Sequence, residues 1–387
     1  MKLRHLAAIT VSNVDKKSIE GETSVRLCNY MDAYNNPRIG PNHDFAAATA
    51  SPEQIRKFTL RAGDVLITKD SETPDDIGVP AYVTTDLPNV LCGYHLAILR
   101  PRPSAVDGRY LYWAVAAEPT RRQFDASAFG ITRFGLRQDA IADTTVPLPD
   151  LTAQGAIADF LDAETNRIDQ LVVNRRRAID LIDERFASER AMTVLQRLNP
   201  ISGKGSVPDN WNVVALGVLI QLHRGFDLPT DEREDGEIPV ISSGGISGLH
   251  SRAACEGPGV VTGRYGTIGD VTFVAGSYWP LNTTLFVSDF RGNDPKWVYH
   301  VLAVMPLEVD SDKSAVTGIN RNVVGMLRAP KPPLSEQRFI ATQLDRALEA
   351  TEAAKSALAR QIELLRERRQ TLITAAVTGQ IPIPGAA

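Results

Sequence analysis

The sequence predicts an α+β fold in which two similar globular domains, built of short β-strands and small helices, are separated by two long helices that form an antiparallel coiled coil. Two observations lead to this prediction. The segment that begins at Pro147 returns at Pro330, 183 positions later, and each copy continues into a long stripe of apolar residues. Such a period is far too long for a solenoid repeat, so the chain is expected to run globule, helix, globule, helix.

The repeated segment reads PLPDLTAQGAIADFLD in its first copy and PKPPLSEQRFIATQLD in its second. The register then holds without a gap, and 13 of the 44 pairs from Pro147/Pro330 to Arg190/Ile373 are identical. The predicted boundaries are residues 1–146 for the first globular domain, 147–198 for the first long helix, 199–330 for the second globular domain, 331–379 for the second long helix and 380–387 for a tail.

Both long helices carry the apolar spacing of a coiled coil. From Leu161 the seam positions follow in steps of four and three to Phe186, and the second copy repeats them from Leu344 to Leu372. Thr152 and Ser335 follow prolines and are expected to be the helix N-caps. Each helix should span about 40–45 residues, or roughly 60–65 Å.

A single narrow apolar stripe does not stabilise a solitary helix in water, so each long helix needs a partner. The other copy in the same chain is the favoured partner, and the globular domain between the copies makes that pair antiparallel. A coil that joins two chains into a dimer stays the alternative.

The globular domains share short strands between glycine and proline turns. Arg61–Asp70 reads as a turn followed by a strand that ends near Lys69, and Gly257–Gly269 has a similar pattern with Arg264 after the strand. Further on, the sequence Gly-Ile-Thr-Arg at 130–133 matches Gly-Ile-Asn-Arg at 318–321. We therefore expect two divergent versions of one fold.

Composition limits the function classes. The chain has 387 residues, and no apolar run is long enough to span a membrane. Three scattered cysteines without a C-x-x-C pair indicate a reducing, cytoplasmic setting and no zinc site. The net charge of −4 is unlike that of a stand-alone nucleic-acid-binding protein, so a DNA-binding role would need a partner that supplies positive charge.

Motifs for independent catalysis are missing from the sequence. The chain has no phosphate-binding G-x-x-x-x-G-K-[ST] loop and no Asn/Asp-Pro-Pro-Tyr/Phe motif of DNA methyltransferases, and Gly263, Gly266 and Gly269 lack dinucleotide-binding spacing. The acidic run 231–235 is expected to be a solvated loop. We therefore expect no cofactor, no metal and no catalytic residue.

Several of these motifs together resemble the specificity subunit of type I restriction–modification systems. The resemblance covers nearly the whole chain and rests on Trp211 with Leu216-Gly217, on IPVISSGG at 238–245, on GRYGTIG at 263–269 and on the twin P-x-x-x-x-Q-x-x-I-A-x-x-L-D segments. It implies two target recognition domains, with paired helices that set the gap between two half-sites. It also implies three partners: double-stranded DNA, two methyltransferase subunits and restriction/translocase subunits.

Base edges are read by polar and cationic side chains, while phosphate contacts fix the register of the protein on DNA. Candidates are polar groups at strand ends or beside glycine turns. Each also has a structural interpretation: matching arginines could form a shared ion pair, Tyr265 could simply pack, the serines could cap a turn, and Lys313 lies among acidic residues. The predicted DNA-binding residues are Lys69, Arg133, Arg137, Ser242, Ser243, Arg264, Tyr265, Lys313 and Arg321.

Two further hypotheses stay open at this stage. The chain could be the specificity subunit of a type II system that recognises a bipartite target, or a coiled-coil scaffold that binds proteins. Because the two globular domains differ so much in sequence, their half-sites should differ and the full DNA target should be asymmetric.

Overall fold

The computed structural model describes residues 1–265, 269–308 and 318–386. It divides into two compact units, the first made of Met1–Arg175 with Arg360–Ala387 and the second of Arg176–Ala359. The boundary crosses both long helices, so each unit contains a part of each helix.

The first unit has three sheets: a five-stranded sheet in the order β1-β10-β6-β8-β3, a four-stranded sheet in the order β4-β2-β9-β5, and the pair β11-β7. The strands are β1 (Ala7–Val11), β2 (Thr23–Cys28), β3 (Arg38–Ile39), β4 (Ala46–Ala50), β5 (Thr59–Leu60), β6 (Val65–Thr68), β7 (Asp70–Ser71), β8 (Pro80–Val83), β9 (Leu87–Cys92), β10 (Leu96–Pro101) and β11 (Phe134–Gly135). The helices are α1 (Leu3–Leu6), α2 (Tyr30–Asn35), α3 (Pro52–Phe58), α4 (Gly108–Ala116), α5 (Glu118–Ser127), α6 (Gln138–Asp143) and the first part of α7 (Leu151–Leu195).

The second unit has a four-stranded sheet in the order β13-β19-β16-β17, a three-stranded sheet in the order β15-β14-β18, and the pair β12-β20. The strands are β12 (Asn212–Ala215), β13 (Gln221–Arg224), β14 (Ile238–Ser242), β15 (Gly245–His250), β16 (Gly259–Gly263), β17 (Val271–Val274), β18 (Trp279–Pro280), β19 (Thr284–Asp289) and β20 (Arg328–Lys331). The helices are α8 (Leu216–Leu219), α9 (Pro295–Leu302), α10 (Arg321–Met326) and α11 (Leu334–Val377), of which the last part belongs to the first unit.

The sheets of the two units follow one plan, as the α+β prediction of two similar domains requires. In the first unit β10 pairs with β6 and β6 with β8; in the second, β19 pairs with β16 and β16 with β17. One insertion distinguishes them. Residues 29–45, which include α2 and β3, lie between β2 and β4, whereas only Ser243 and Gly244 connect the corresponding strands β14 and β15.

The two long helices run antiparallel. In the first unit Asp169 forms an ion pair with Arg369 at 3.1 Å, and Arg175 Nε donates to Gln361 Oε1 at 2.8 Å. In the second unit Lys355 lies 2.8 Å from Asp183. Residue numbers rise along α7 as they fall along α11, which confirms the predicted intramolecular pair. The helices have 45 and 44 residues, close to the predicted length.

The predicted N-caps Thr152 and Ser335 are wrong by two positions. Both lie inside the first helical turn, because α7 begins at Leu151 and α11 at Leu334. In α7 the carboxylate of Asp150 accepts the N–H of Ala153 at 2.8 Å and is the cap. A carboxylate next to the positive end of a helix dipole is as good an N-cap as a threonine hydroxyl or better.

The repeated glutamine and aspartate of the twin segments fasten each globular part to its long helix. Gln154 accepts the backbone N–H of Asp107 at 2.8 Å, and Gln337 accepts that of Asp294 at 2.9 Å, so each holds the N-terminus of α4 or α9. Eight residues on, Asp162 accepts the indole N–H of Trp113 at 3.0 Å. Asp345 lies 3.0 Å from Nε2 of His300, which stands at the matching place.

Candidate nucleic-acid interface

One predicted cation of each unit, Lys69 or Arg264, lies at a corner that both units build in the same way. In the first unit the N–H of Leu136 donates to the carbonyl of Lys69 at 2.8 Å, and in the second the N–H of Ile319 donates to the carbonyl of Arg264 at 3.0 Å. Gly135 pairs with Asp70 as Gly318 pairs with Tyr265. Lys69 and Arg264 are therefore equivalent residues, each directly following an inner strand of its sheet, β6 or β16.

This equivalence corrects the predicted match between residues 130–133 and 318–321. Gly318 corresponds to Gly135, at the same 183-residue offset as the helix repeat, so Arg321 matches Gln138 and not Arg133. A shared glycine and a following β-branched or aliphatic residue occur in both segments, which made the sequence alignment ambiguous. The hydrogen bonds of Leu136 and Ile319 decide it.

The charge of Lys69 is already matched inside the first unit. Its Nζ lies 2.7 Å from Asp70 and 4.7 Å from the ring centre of Tyr94, and the side chain is 12% exposed. His95 Nδ1 contacts the same Asp70 carboxylate at 2.8 Å. Lys69 thus lies in a compact ionic cluster, and its structure favours a positioning role at this corner.

The segment 129–137 presents two of the predicted cations, Arg133 and Arg137, at the surface of the first unit. Phe129 and Gly135 exchange two backbone hydrogen bonds of 3.1 and 2.9 Å, which close a short loop. Arg133 is exposed, and the guanidinium of Arg137 stacks 4.7 Å from the ring centre of Phe129. At the tip, Ile131 is 93% exposed. We name residues 129–137 the tip loop.

A cleft of mixed charge lies beside the tip loop. Arg133 lines it together with Tyr30, Asp70, Asp76 and His95. The hydroxyl of Tyr34 donates to Asp76 at 2.8 Å, and this bond raises the pKa of Tyr34. The cleft therefore offers carboxylate acceptors next to the guanidinium of Arg133, which no carboxylate pairs with among the described residues, and this combination suits hydrogen bonding to base edges.

Arg264 and Tyr265 form a rigid pair in the second unit. The guanidinium of Arg264 lies 4.6 Å from the ring centre of Tyr265, and its backbone N–H donates to Thr283 at 2.8 Å. The Tyr265 ring covers Gly318 so closely that a Cβ there would lie 2.4 Å from the ring. Only glycine at 318 permits this stacking. Among the described residues no carboxylate pairs with Arg264, unlike Lys69.

The other predicted residues of the second unit lie apart from this pair. Arg321 is exposed at the start of α10 and lines a cleft with His223, Arg291 and Asn322. Ser242 donates to the carbonyl of Gly245 at 3.1 Å and stabilises the β14–β15 turn that contains Ser243. Lys313 lies outside the described residues.

Sequence reasoning missed Phe129 and Ile131 of the tip loop, and His223 and Arg291 of the second-unit cleft. The signal for the first two was present, because apolar residues around Gly130 in a turn cannot all be buried. Arg291 gave no signal: its left-handed backbone, with φ of 48°, and its bond to the carbonyl of Gly217 arise only in the folded chain.

Comparison with known proteins decides the family. The model of the type I restriction modification DNA specificity domain matches residues 15–179 and again 208–364. The chain belongs to this family. It carries two specificity domains, each of which continues into a long helix.

Individual relatives agree with this assignment. The type I restriction enzyme EcoBI specificity subunit of Escherichia coli is 26% identical over 197 residues, which is 47% of this chain and 41% of that protein. The EcoprrI specificity subunit of Escherichia coli is 26% identical over 137 residues, 34% of each chain. The matches thus span less than half the length of these curated relatives.

Solved structures show the same fold over the whole chain. A chain from a structure that addresses complex assembly and conformational transition of the type I R-M system has a TM-score of 0.79, 18% identity and coverage of 98% of this chain and 97% of its own. The HsdS subunit from Thermoanaerobacter tengcongensis has a TM-score of 0.56 and 17% identity, covering 98% and 96%. In the part of this specificity protein that the structure describes, no helix is long and apolar enough to cross a membrane.

Proposed function

We propose that the chain is the non-catalytic DNA sequence-specificity subunit of a type I restriction–modification complex. Each specificity domain would read one half-site of a bipartite target, and the paired long helices would act as the spacer between the half-sites. The observation that supports this most directly is the two-fold occurrence of the specificity domain in one chain, with the same backbone corner carrying Lys69 in one domain and Arg264 in the other.

The partners follow from the same proposal. The chain would dock two methyltransferase subunits, with restriction/translocase subunits added for cleavage. A net charge of −4 leaves little phosphate attraction to the chain alone, and the methyltransferase subunits would supply it by enclosing the DNA. The protein-scaffold and type II alternatives gain no support from the family match.

The proposed contacts differ between the two specificity domains. In the first, Arg133 and Arg137 of the tip loop would contact DNA, and Ile131 would make an apolar contact with a base or wedge between bases. In the second, Arg264 held on Tyr265 would read a base edge. Because the same corner carries Lys69 paired with Asp70 in one domain and Arg264 stacked on Tyr265 in the other, the two half-sites should differ.

The proposal is tested by expressing this chain with the methyltransferase of its system and mapping methylated adenines by long-read sequencing. We expect a split, asymmetric motif with a fixed gap, which disappears when the chain is omitted. Methylation that does not depend on the chain, or a motif with two identical half-sites, would contradict the proposal or its asymmetry.

Arg264→Ala separates the two half-sites. Losing a base contact should weaken specific binding of the assembled complex by about 1–3 kcal/mol and relax the motif at one half-site only. Arg252→Ala is the matched control, because Arg252 is exposed and pairs with Glu234 at 3.6 Å. Unchanged selectivity of the Arg264→Ala complex in a titration against single-base variants would remove Arg264 from the interface.

Substitutions in the tip loop should affect the other half-site. Arg133→Ala combined with Arg137→Ala should relax the other half-site by a similar amount, about 1–3 kcal/mol, while the half-site read by Arg264 stays intact. The readout is the same set of single-base variants, so the two experiments assign each half-site to one domain. If Arg264→Ala and the Arg133→Ala/Arg137→Ala pair affected the same half-site, the assignment would be wrong.

A further inference from the structure

In the first unit an arginine is held in a cage of aromatic rings next to the long helix. The guanidinium carbon of Arg38 lies 4.3 Å from the ring centre of Tyr112 and 5.3 Å from those of Tyr82 and Trp113. Its Nη2 lies 2.5 Å from Asp162, the repeated aspartate of the helix. Cation–π contacts of this kind, closed by a carboxylate, are specific for an arginine.

Arg38 reaches this cage on an added strand. Its strand β3 pairs in parallel with β8, so that Arg38 lies opposite Tyr82. The backbone N–H of Tyr82 donates to Pro37 at 3.0 Å, and that of Thr84 donates to Ile39 at 2.9 Å. Strand β3 belongs to the insertion of residues 29–45, so backbone pairing and the side-chain cage together hold the inserted segment.

The second unit builds the same cage without an inserted strand to fill it. Phe273 on β17 takes the place of Tyr82 on β8. Phe273 pairs with Val260 of β16, and Tyr82 pairs with Val65, the corresponding residue of β6. On α9, Tyr299 and His300 take the places of Tyr112 and Trp113, and Asp345 takes that of Asp162. Phe273 and Tyr299 lie 6.1 Å apart between ring centres, against 6.5 Å for Tyr82 and Tyr112.

A cleft is present where the arginine would lie. Phe273, Lys296, Tyr299, Asp345 and Glu349 line it. Strand β17 is the edge of its sheet, and within the described residues no strand pairs with its outer side. The insertion that supplies β3 in the first unit is replaced here by the two-residue turn Ser243-Gly244.

Lys296 fills the cage only in part. It pairs with Asp345 and lies 5.8 Å from the ring centre of Phe273, while its side chain stays 54% exposed. Its equivalent Arg109 also reaches Asp162, at 3.5 Å, although Arg38 is bound to that same carboxylate. The first unit thus holds two cations on one carboxylate, so Lys296 leaves room for an added arginine in the second. Glu349 also adds negative charge to the cleft at a position where the first unit has Asn166.

We infer that this cleft, the β17 cage, binds an arginine on an extended segment of the methyltransferase subunit, which adds to the free edge of β17 as β3 adds to β8. Strand addition supplies backbone hydrogen bonds, and the cage selects the side chain. The lining carries two carboxylates, Asp345 and Glu349, against one cation, Lys296, which disfavours nucleic-acid phosphate as the occupant. This inference rests on the proposed function, because it names the surface with which one proposed partner would be recognised.

The test places the photoreactive residue p-benzoylphenylalanine at Glu349 in the full chain, assembled with the methyltransferase subunit. Glu352 on the same helix, exposed and bonded only to Lys355 among the described residues, is the matched control position. We expect cross-linking from position 349, mapped by mass spectrometry to an arginine-bearing segment of the methyltransferase subunit, and at least tenfold less when that arginine is changed to alanine.

An affinity measurement complements the cross-link. Glu349→Arg should weaken association with the methyltransferase subunit by about tenfold, as expected when like charges face each other in an interface, and Glu352→Arg by less than about twofold. A complex that assembles and methylates DNA but gives no cross-link from 349, or one only to a second copy of this chain, would overturn the β17 cage proposal and leave the proposed function standing. Failure of the wild-type chain to form any complex would overturn both.

Discussion

Gly379 and Gln196 occupy the same position at the ends of the two long helices, and both have left-handed backbone, with φ of 70° and 56°. After α11, the N–H of Gln380 donates to the carbonyl of Ala375 at 2.8 Å, which closes the last turn. Glycine takes this conformation without strain, whereas a side chain with a Cβ does not. The first helix therefore ends in a strained residue and the second does not.

Gln196→Gly should stabilise the second unit by roughly 0.5–1 kcal/mol, since relief of the left-handed strain exceeds the added flexibility of the unfolded chain. Gly379→Ala should cost about 1 kcal/mol, and only through the backbone, because a Cβ at 379 meets no atom within 4 Å. Urea unfolding of each variant measures both changes. Gln196→Ala is the control and should leave the midpoint nearly unchanged.

His300 makes the second unit sensitive to acid. Its side chain is fully buried, and burial lowers the pKa of its imidazole to about 4, although the hydrogen bond that its Nε2 makes to the Asp345 carboxylate acts in the opposite direction. The unfolded chain binds a proton near pH 6.5 and the folded chain near pH 4. Between these values the unfolded state holds more protons, so stability should fall as the pH is lowered.

We expect the second unit to lose roughly 3 kcal/mol of unfolding free energy between pH 6.5 and pH 4 through His300, as a pKa lowered by about 2.5 units implies. Denaturant unfolding across this range, compared for the natural chain and His300→Gln, isolates the contribution. His5→Gln, at an exposed histidine, should retain the full pH dependence. An unchanged slope in His300→Gln would show that other groups govern the acid response.

At the scale of elements, the long helices serve two purposes with different residues. Their facing sides hold the helices together, for example through Asp169 with Arg369 and Asp183 with Lys355. Their N-terminal parts hold the globular parts, through Gln154 and Asp162 in one copy and Gln337 and Asp345 in the other. The second set explains why these residues recur in the repeat while most seam positions do not.

Charge reversal tests the antiparallel register. Asp169→Arg should destabilise the first unit by about 0.5 kcal/mol, because the pair is partly exposed and its attraction is screened. Combining it with Arg369→Asp should recover most of the loss, which a double-mutant cycle measures by thermal or urea unfolding. Combining it with Lys355→Asp, whose partner is Asp183, should recover nothing.

At the scale of the whole molecule, charge is the property that constrains function most. The net charge of −4 is unfavourable for binding a polyanion, and Lys69 at the proposed interface is already neutralised by a carboxylate. Specific DNA contacts would therefore come from a few side chains, with the general attraction contributed by partner subunits.

Because the partner subunits would supply most of the attraction for DNA, the isolated chain and the complex should differ in how their DNA affinity depends on salt. The isolated chain should bind DNA weakly, with a shallow slope of log K against log salt concentration, since each neutralised phosphate contributes about 0.9 to that slope. The complex with methyltransferase subunits should show a steeper slope and sequence selectivity. Fluorescence anisotropy at several salt concentrations measures both. A steep slope for the isolated chain would mean that its own cations supply the attraction.

The sequence by itself determined the plan of this protein. It contains the repeat at 183 residues, the periodic apolar stripes from Leu161 and Leu344, and the ordered set of motifs that carries the family resemblance. Helix periodicity and a repeated segment are local or one-dimensional signals, so they survive without coordinates. It also identified Arg133, Arg137, Arg264 and Arg321 as candidates, and these remain predictions.

Only the tertiary structure decided how the residues are used. Lys69 and Arg264 have the same local sequence setting, yet Lys69 pairs with Asp70 and His95 whereas Arg264 stacks on Tyr265. The alignment of Gly135 with Gly318 depends on hydrogen bonds between segments more than 50 residues apart. The cage around Arg38 likewise joins side chains from two strands and two helices. Such contacts depend on distances across the fold, which no sequence period encodes.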